Sequence, residues 1–215
     1  MSNETKDINR RRFIHYAAAA LALPVVGLGA IELTGLKKRL FAVSDVEEKR
    51  AATAWRISIV SANEPGEPLI VSGTIYSPDG RTPLEGINLW VYQTDATGHY
   101  STEGTGNNRN TRLHGQMTTN GEGRYEFRTI KPVAYPGQRI PAHIHAYVSG
   151  PDYPEYWIDE YLFDDDPLVT EAVRLKHPGT GSFASILKLT RGSDGVLRGV
   201  RDIKIERCSR NCTGH

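Results

Sequence analysis

The chain has 215 residues, of which 24% are charged, and its formal net charge at pH 7 is +1. Nothing in this balance indicates the strongly basic surface with which proteins bind nucleic acid, so no nucleic-acid partner is expected. The length is sufficient for one domain with a sizeable hydrophobic core and an additional tail.

The N-terminus has the pattern of an export signal. A basic segment precedes an uncharged, alanine-rich run at residues 16–31, which is the order found in secretory leaders. Residues 10–14, Arg-Arg-Arg-Phe-Ile, resemble the bacterial twin-arginine signal, whose pathway exports folded proteins. We therefore expect residues 1–42 to be a signal and the mature domain to be periplasmic or extracellular. Since no small-residue cleavage site stands out, an uncleaved membrane anchor is the alternative.

Two cysteines, Cys208 and Cys212, lie in the predicted C-terminal tail at residues 208–215. In an oxidising compartment they can pair and close a small loop, so we expect a structural disulfide. Two free thiols are the alternative. A metal site is disfavoured because no other cysteine is present to complete a set of thiolate ligands.

The remainder of the chain is predicted to be one β-domain. Residues 43–68 are a linker and lead-in, and residues 69–207 contain short runs rich in β-branched and aromatic residues between turn signals. No convincing helical periodicity interrupts them. This pattern is typical of an antiparallel β-sandwich. The predicted strands are residues 69–76, 86–93, 113–119, 124–130, 142–149, 158–163, 183–190 and 196–205.

The connections between these strands are also indicated by composition. Gly-rich turns at residues 120–123 and 193–195 predict two hairpins, the first joining the third and fourth predicted strands and the second joining the last two. Residues 100–112 and 131–141 lack periodicity and are predicted to be long loops. The acidic run at residues 164–166 is interpreted as a solvated turn.

Four side chains in or beside the two long loops form a candidate metal-binding set. His143 and His145 are two positions apart in a predicted strand, so their side chains share one face. Tyr135 precedes them in one long loop, and Tyr100 begins the other. Two phenolate oxygens and two imidazoles suit a hard trivalent ion better than zinc. Because the pKa of phenol is about 10, only a strong Lewis acid would hold it ionised at neutral pH, which favours Fe(3+).

Five segments share a characteristic order and spacing: residues 71–86, 89–100, 119–132, 134–136 and 141–145. Together they resemble the intradiol ring-cleavage dioxygenases, the family of protocatechuate and catechol dioxygenases. The resemblance implies a non-haem Fe(3+) enzyme that uses O2 to open a catechol-type ring between its two hydroxyl-bearing carbons. The product would be a muconate-type diacid.

The resemblance also assigns roles to individual residues. Tyr100, Tyr135, His143 and His145 match the iron ligands of the family. Tyr135 matches the ligand that the substrate displaces and that can then take up substrate protons, so it is the candidate catalytic residue. Many relatives assemble, and a homo-oligomer is therefore an expectation, although one chain carries all four candidate ligands.

Two positions depart from the family pattern. Ile140 occupies the position of an arginine that helps to hold the substrate, and the nearest arginine is Arg139, one residue earlier. In an extended segment this shift moves the side chain to the opposite face. Either the loop is remodelled so that Arg139 binds the substrate, or the substrate is handled differently; Arg112 is another cation that could serve. Glu160 stands where the family often has glutamine.

Two other functions compete with the dioxygenase hypothesis. Residues 71–86 and 120–127 also fit a transthyretin-like or carboxypeptidase-regulatory β-sandwich, which would be an exported, non-enzymatic binding module. A zinc or copper protein could instead use His143, His145 and His99. Under the dioxygenase hypothesis His99 and His114 are interpreted as loop histidines outside the site.

Overall fold

The computed structural model describes residues 54–100 and 111–207. All of these described residues belong to one compact unit. The predicted export signal lies outside the described residues, as do Cys208 and Cys212, so the signal and the disulfide stay predictions. Within the described ranges, no helix combines the length and the apolar character needed to cross a bilayer.

The described residues form strands connected by turns, one short helix and one 3-10 turn. The single helix, α1, spans Glu171–Lys176, and the 3-10 turn spans Gly181–Phe183. The strands are β1 Arg56–Ser58, β2 Pro68–Tyr76, β3 Asn88–Gln93, β4 Leu113–Thr118, β5 Arg124–Ile130, β6 Ile144–Gly150, β7 Tyr153–Phe163, β8 Ile186–Leu187, β9 Thr190–Arg191, β10 Leu197–Val200 and β11 Ile203–Lys204.

Two sheets enclose one hydrophobic core. The first has the strand order β1-β5-β2-β10-β9, with β11 also paired to β2, and the second has the order β4-β3-β6-β7-β8. Alternate residues of both sheets face inward, as a half-buried strand requires. The predicted all-β sandwich is therefore confirmed. The core includes Leu69, Val71, Ile75, Leu89, Val91, Met117, Tyr125, Phe127, Ile144, Ala146, Val148, Tyr161 and Phe163.

The pairing is mixed, since several strands run parallel to their neighbours. β1 pairs parallel with β5, β10 with β2, and β7 with β8. The hairpin predicted between the third and fourth predicted strands, here β4 and β5, is wrong. β4 pairs with β3 and β5 pairs with β2, so the two strands lie in different sheets. The turn between them reverses the chain, but the carbonyl oxygen of Gly123 accepts a hydrogen bond from the N–H of Ile75 in β2. The turn therefore leads from one sheet to the other.

The C-terminal region contains the other differences. The hairpin predicted around residues 193–195 is confirmed, because β9 and β10 pair antiparallel. Most of the strand predicted at residues 183–190 is absent; only β8 and the first residue of β9 belong to strands there. α1 was not predicted, because its six residues are too few to show a helical period and none of them is buried.

Candidate metal centre

The candidate ligands are carried by neighbouring elements of the second sheet and by the loops beside them. His145 lies in β6 directly opposite Tyr92 of β3, and His143 immediately precedes β6. Tyr100 follows β3 after one turn, and Tyr135 lies in the loop that leads to β6. The sheet register therefore brings the end of β3 and the start of β6 to the same edge of the sandwich.

A glycine contact holds the two tyrosine loops together. Asp95 accepts hydrogen bonds from Thr97 and from the backbone of His99, which closes the turn after β3. Gly98 in this turn has a φ of 81°, a conformation that favours glycine. A Cβ added there would overlap the carbonyl oxygen of Ala134 and lie 2.9 Å from Pro136 Cδ. The absence of a side chain at Gly98 thus allows the loop of Tyr100 to pack against the loop of Tyr135.

Four side-chain atoms converge at one point. Tyr100 Oη lies 2.8 Å from His145 Nε2, and Tyr135 Oη lies 3.1 Å from His143 Nε2 and 3.4 Å from His145 Nε2. The two Nε2 atoms are 3.0 Å apart, and the two phenol oxygens also contact each other. Ligands bound about 2.1 Å from one ion at 90–109° are separated by about 3.0–3.4 Å. The separations among Tyr135 Oη and the two Nε2 atoms match this range, whereas Tyr100 Oη lies closer to its neighbours. The four atoms therefore converge as the donors of a single metal ion would.

The hydrogen bonding and protonation state of both imidazole rings suit metal binding. His143 Nδ1 lies 2.7 Å from the carbonyl oxygen of Pro141, so Nδ1–H donates and the Nε2 lone pair faces the site. His145 Nδ1 is buried and has no hydrogen-bond partner among the described residues. Burial, together with the nearby His143, lowers the pKa of His145 to about 3. The His145 ring is thus neutral at neutral pH, the form that binds metals.

Burial shifts the pKa values of the two phenols upward, whereas it shifts that of His145 downward. Burial raises the pKa of Tyr100, and its hydrogen bond with Tyr135 raises it further. Burial also raises the pKa of Tyr135, an effect that the bond from Tyr100 only partly offsets. Both side chains are therefore protonated at neutral pH unless a cation stabilises their anions. A hard, highly charged ion such as Fe(3+) is the partner that this donor set fits.

Aromatic side chains fix the orientation of His145. Its ring stacks on Tyr92 with the centroids 4.4 Å apart, and Trp157 meets it edge-on at 4.7 Å. Tyr147 extends the same cluster by packing on Trp157. These contacts restrict rotation of the imidazole, so Nε2 is held toward the two phenols.

The other histidines lie outside the four-atom cluster. His99 is exposed, and its Nδ1 lies 3.0 Å from the hydroxyl of Thr97. Within the described ranges, no group of three or more His, Cys, Asp or Glu side chains is arranged to hold a metal ion. This finding disfavours the zinc or copper site with His99. His114 was interpreted as a loop histidine, but it lies within β4, where it pairs with Tyr92.

The candidate substrate-binding cations differ in their surroundings. Arg112 forms a bidentate ion pair with Glu64, with both N···O distances 2.7 Å, and approaches Asp95 at 3.4 Å. Its charge is thus already neutralised by the protein. Arg139 and Ile140 are both exposed, and Arg139 forms no ion pair with any described residue. Arg139 is the less constrained of the two arginines.

The backbone of Arg112 has a separate role. Its N–H donates to the carbonyl oxygen of Tyr100 with an N···O distance of 2.8 Å. The residues on either side of the segment 101–110 are therefore joined directly.

One residue that supports the site was missed. The carboxylates of residues 164–166 were interpreted as a solvated turn, but each has a partner. Asp166 accepts the N–H of Ala142 at 2.7 Å and that of Leu168 at 2.8 Å, so it fixes the backbone one residue before His143. Asp164 pairs with Arg174, and Asp165 pairs with Lys131. Nothing in the sequence distinguishes Asp166 from its two neighbours.

Comparison with known proteins identifies the family. A family model described as Dioxygenase (Dioxygenase_C) matches residues 46–177, more than half of the chain. The chain therefore belongs to this dioxygenase family. It is 31% identical over 176 residues to the catechol 1,2-dioxygenase of Acinetobacter baylyi, with 64% of this chain and 56% of the relative covered.

Two further matches extend the comparison. The protocatechuate 3,4-dioxygenase beta chain of Burkholderia cepacia is 32% identical over 120 residues, covering 51% of each chain. The solved dioxygenase domain of a dioxygenase–carbohydrate-binding protein fusion from Streptomyces sp. SirexAA-E has a TM-score of 0.54 and 25% identity, with 70% of this chain and 87% of that chain covered.

These matches support an enzyme of the dioxygenase class over the non-enzymatic transthyretin-like module. The chain spans about half the length of the curated relatives it matches.

Proposed function

We propose that this chain is a non-haem Fe(3+) intradiol dioxygenase. It opens a catechol-type ring with O2 between the two hydroxyl-bearing carbons and yields a muconate-type diacid. The observation that carries the proposal is the convergence of Tyr100, Tyr135, His143 and His145, each of whose donor atoms lies within hydrogen-bonding distance of at least two of the others. The names of the relatives, catechol 1,2-dioxygenase and protocatechuate 3,4-dioxygenase beta chain, support the same substrate class.

All four side chains would hold the ion, and Tyr135 would in addition move a proton. Bound ferric iron would supply a Lewis acid that keeps the phenols ionised and makes a catechol reactive toward O2. Tyr135 is assigned as the base because its position matches the ligand that the substrate displaces in the family that this chain resembles. Its phenolate Oη accepts the proton of one substrate hydroxyl. Tyr92 and Trp157 cover His145 and keep water from its ring.

Arg139, in the loop that precedes His143, is the residue that we assign to the substrate. Arg112 is unsuited because Glu64 and Asp95 already hold its guanidinium. Ile140 adds an exposed apolar side chain to the same loop. The Arg139→Ala variant is expected to raise KM for catechols while it leaves iron content unchanged, as measured by steady-state O2 uptake and metal analysis.

The central test is O2 uptake on a panel of catechols by the iron-loaded protein. The wild type is expected to be coloured by tyrosinate-to-iron charge transfer and to consume O2. Tyr135→Phe removes the base and one ligand and is expected to lower the rate at least about 100-fold. Tyr76→Phe, in β2 and outside the site, is the control. A coloured, iron-loaded wild type that takes up no O2 with any catechol contradicts the dioxygenase proposal but not the iron site.

We also propose that the protein is exported by the twin-arginine pathway and acts in the periplasm or outside the cell. The support is the segment Arg10-Arg11-Arg12-Phe13-Ile14 before an uncharged run. Replacing Arg10 and Arg11 by lysine is expected to retain the protein in the cytoplasm, as cell fractionation would show. The same fractions test the N-terminal anchor, and sedimentation of the purified protein tests the expected homo-oligomer.

A further inference from the structure

We infer that Glu160 is a positioning residue for the metal centre, whose carboxylate accepts the Nδ1–H of His145 and adds a negative charge behind that ligand. The inference rests on the proposed ferric site and deepens it. It assigns to this chain an acidic group directly behind one histidine, in addition to the four candidate ligands.

The position of Glu160 is produced by a β-bulge. β6 and β7 pair at Ile144↔Tyr161 and at Ala146↔Ile158, with a register shift between these pairs. His145 alone on β6 therefore faces two residues on β7, Asp159 and Glu160. Bulges re-aim side chains and are frequent beside active sites. Here the extra residue places a carboxylate beside the imidazole edge that points away from the phenols.

The two groups are complementary and incompletely paired. His145 Nδ1 is buried and has no hydrogen-bond partner among the described residues, a costly state for a ring N–H. Glu160 Oε1 lies 3.7 Å from it, about 0.7 Å beyond the usual hydrogen-bond distance. The Glu160 side chain is 32% exposed and can move, whereas Tyr92 and Trp157 hold the His145 ring. A small rotation of Glu160 completes the hydrogen bond.

The charge of Glu160 would act on the metal ion through His145, because its carboxylate lies 3.7 Å from Nδ1 of that ring. A carboxylate hydrogen-bonded to a metal-binding histidine increases the basicity of that ligand and fixes its tautomer. A more basic histidine would make a bound iron ion more electron-rich and so raise the energy of tyrosinate-to-iron charge transfer.

A glutamine at residue 160 separates the effect of the hydrogen bond to His145 from the effect of the negative charge. Glu160→Gln retains an oxygen that accepts the Nδ1–H of His145 but removes the charge, whereas Glu160→Ala removes both. Glu155→Gln removes the same charge from an exposed position on the same strand and is the matched control. Charge-transfer absorption and iron affinity are measured on the iron-loaded proteins, because a purely structural role of Glu160 would not change the colour of Glu160→Gln.

The expected result is a shift of the Glu160→Gln absorption band to longer wavelength relative to the wild type and Glu155→Gln. Glu160→Ala is expected to bind iron about 10- to 100-fold more weakly in competition with a chelator. A coloured wild type whose band coincides with that of Glu160→Gln overturns this inference alone. A colourless, iron-free wild type overturns the proposed ferric centre itself.

Discussion

Gly98 packs directly against the carbonyl group of Ala134, and this contact joins the two loops that carry Tyr100 and Tyr135. The approach is closer than any residue with a Cβ permits. Because Gly98 and Ala134 are far apart in sequence, the distance between the two phenols depends on a tertiary contact made by a residue that has no side chain.

Gly98→Ala is therefore expected to disrupt the site and the fold together. The left-handed backbone and the overlap with Ala134 should cost about 2–5 kcal/mol of unfolding free energy and reduce iron content. Gly137 is the matched control, since it also has a positive φ but a Cβ there meets nothing within 4 Å. Gly137→Ala should cost only about 1–2 kcal/mol. Urea unfolding and metal analysis compare the variants; equal losses would contradict the proposed contact.

A second prediction concerns the buried tyrosine pair that joins the sheets. Tyr125 donates to the carbonyl oxygen of Arg201 at 2.6 Å and accepts from the hydroxyl of Tyr161 at 3.1 Å. Tyr125→Phe leaves both partners unsatisfied and is expected to cost about 1–3 kcal/mol. Tyr161→Phe keeps the bond to Arg201 and should cost less, about 0.5–1.5 kcal/mol. The reverse order in denaturant unfolding would show that the Tyr125 hydroxyl is not the central group.

A third prediction concerns acid stability. The hydrogen bonds from Arg112 hold the pKa of Glu64 below its ordinary value of 4.5. A carboxyl with a lowered folded-state pKa contributes stability above its unfolded pKa, and this contribution is lost as the pH falls through the folded value. Glu64→Gln should therefore be less stable than the wild type by about 1–2 kcal/mol at pH 7. The difference should shrink progressively below about pH 4.5.

The control for this prediction is an exposed ion pair. Glu122 lies 3.1 Å from Arg124, but both side chains are well exposed to solvent. Glu122→Gln should change stability by less than about 1 kcal/mol. Urea unfolding at pH 7 and at pH 3.5 measures both variants. A Glu64→Gln difference that is independent of pH would contradict the electrostatic origin of the effect.

Local pattern was enough to predict much of the sheet structure. The strand at residues 124–130 matches β5 at both ends, since alternating burial identifies a strand without knowledge of its neighbours. The predicted pairing of this strand with β4 was wrong. The Gly-rich turn at residues 120–123 has the same composition whether the strands on either side pair with each other or lie in different sheets. Strand pairing depends on which sheet completes the core, and a single turn does not determine it.

In the candidate site, too, local sequence features were predicted and tertiary contacts were not. Tyr100, Tyr135, His143 and His145 were identified from residue chemistry and spacing, and the structure brings all four together. The supporting contacts of Asp166 and Glu160 were not predicted, because each depends on a tertiary partner. Asp166 reaches the backbone of Ala142, and Glu160 reaches His145 only through a bulge, which removes the alternation on which sequence patterns rely.

The hydrogen bond between the N–H of Arg112 and the carbonyl of Tyr100 has a consequence for evolution and engineering. This bond joins the residues that flank the segment 101–110 directly to each other. Each doubling in the length of such a connection costs only about 0.6 kcal/mol of closure entropy. Recombination or design can therefore exchange residues 101–110 as a unit while Tyr100 keeps its backbone anchor to Arg112.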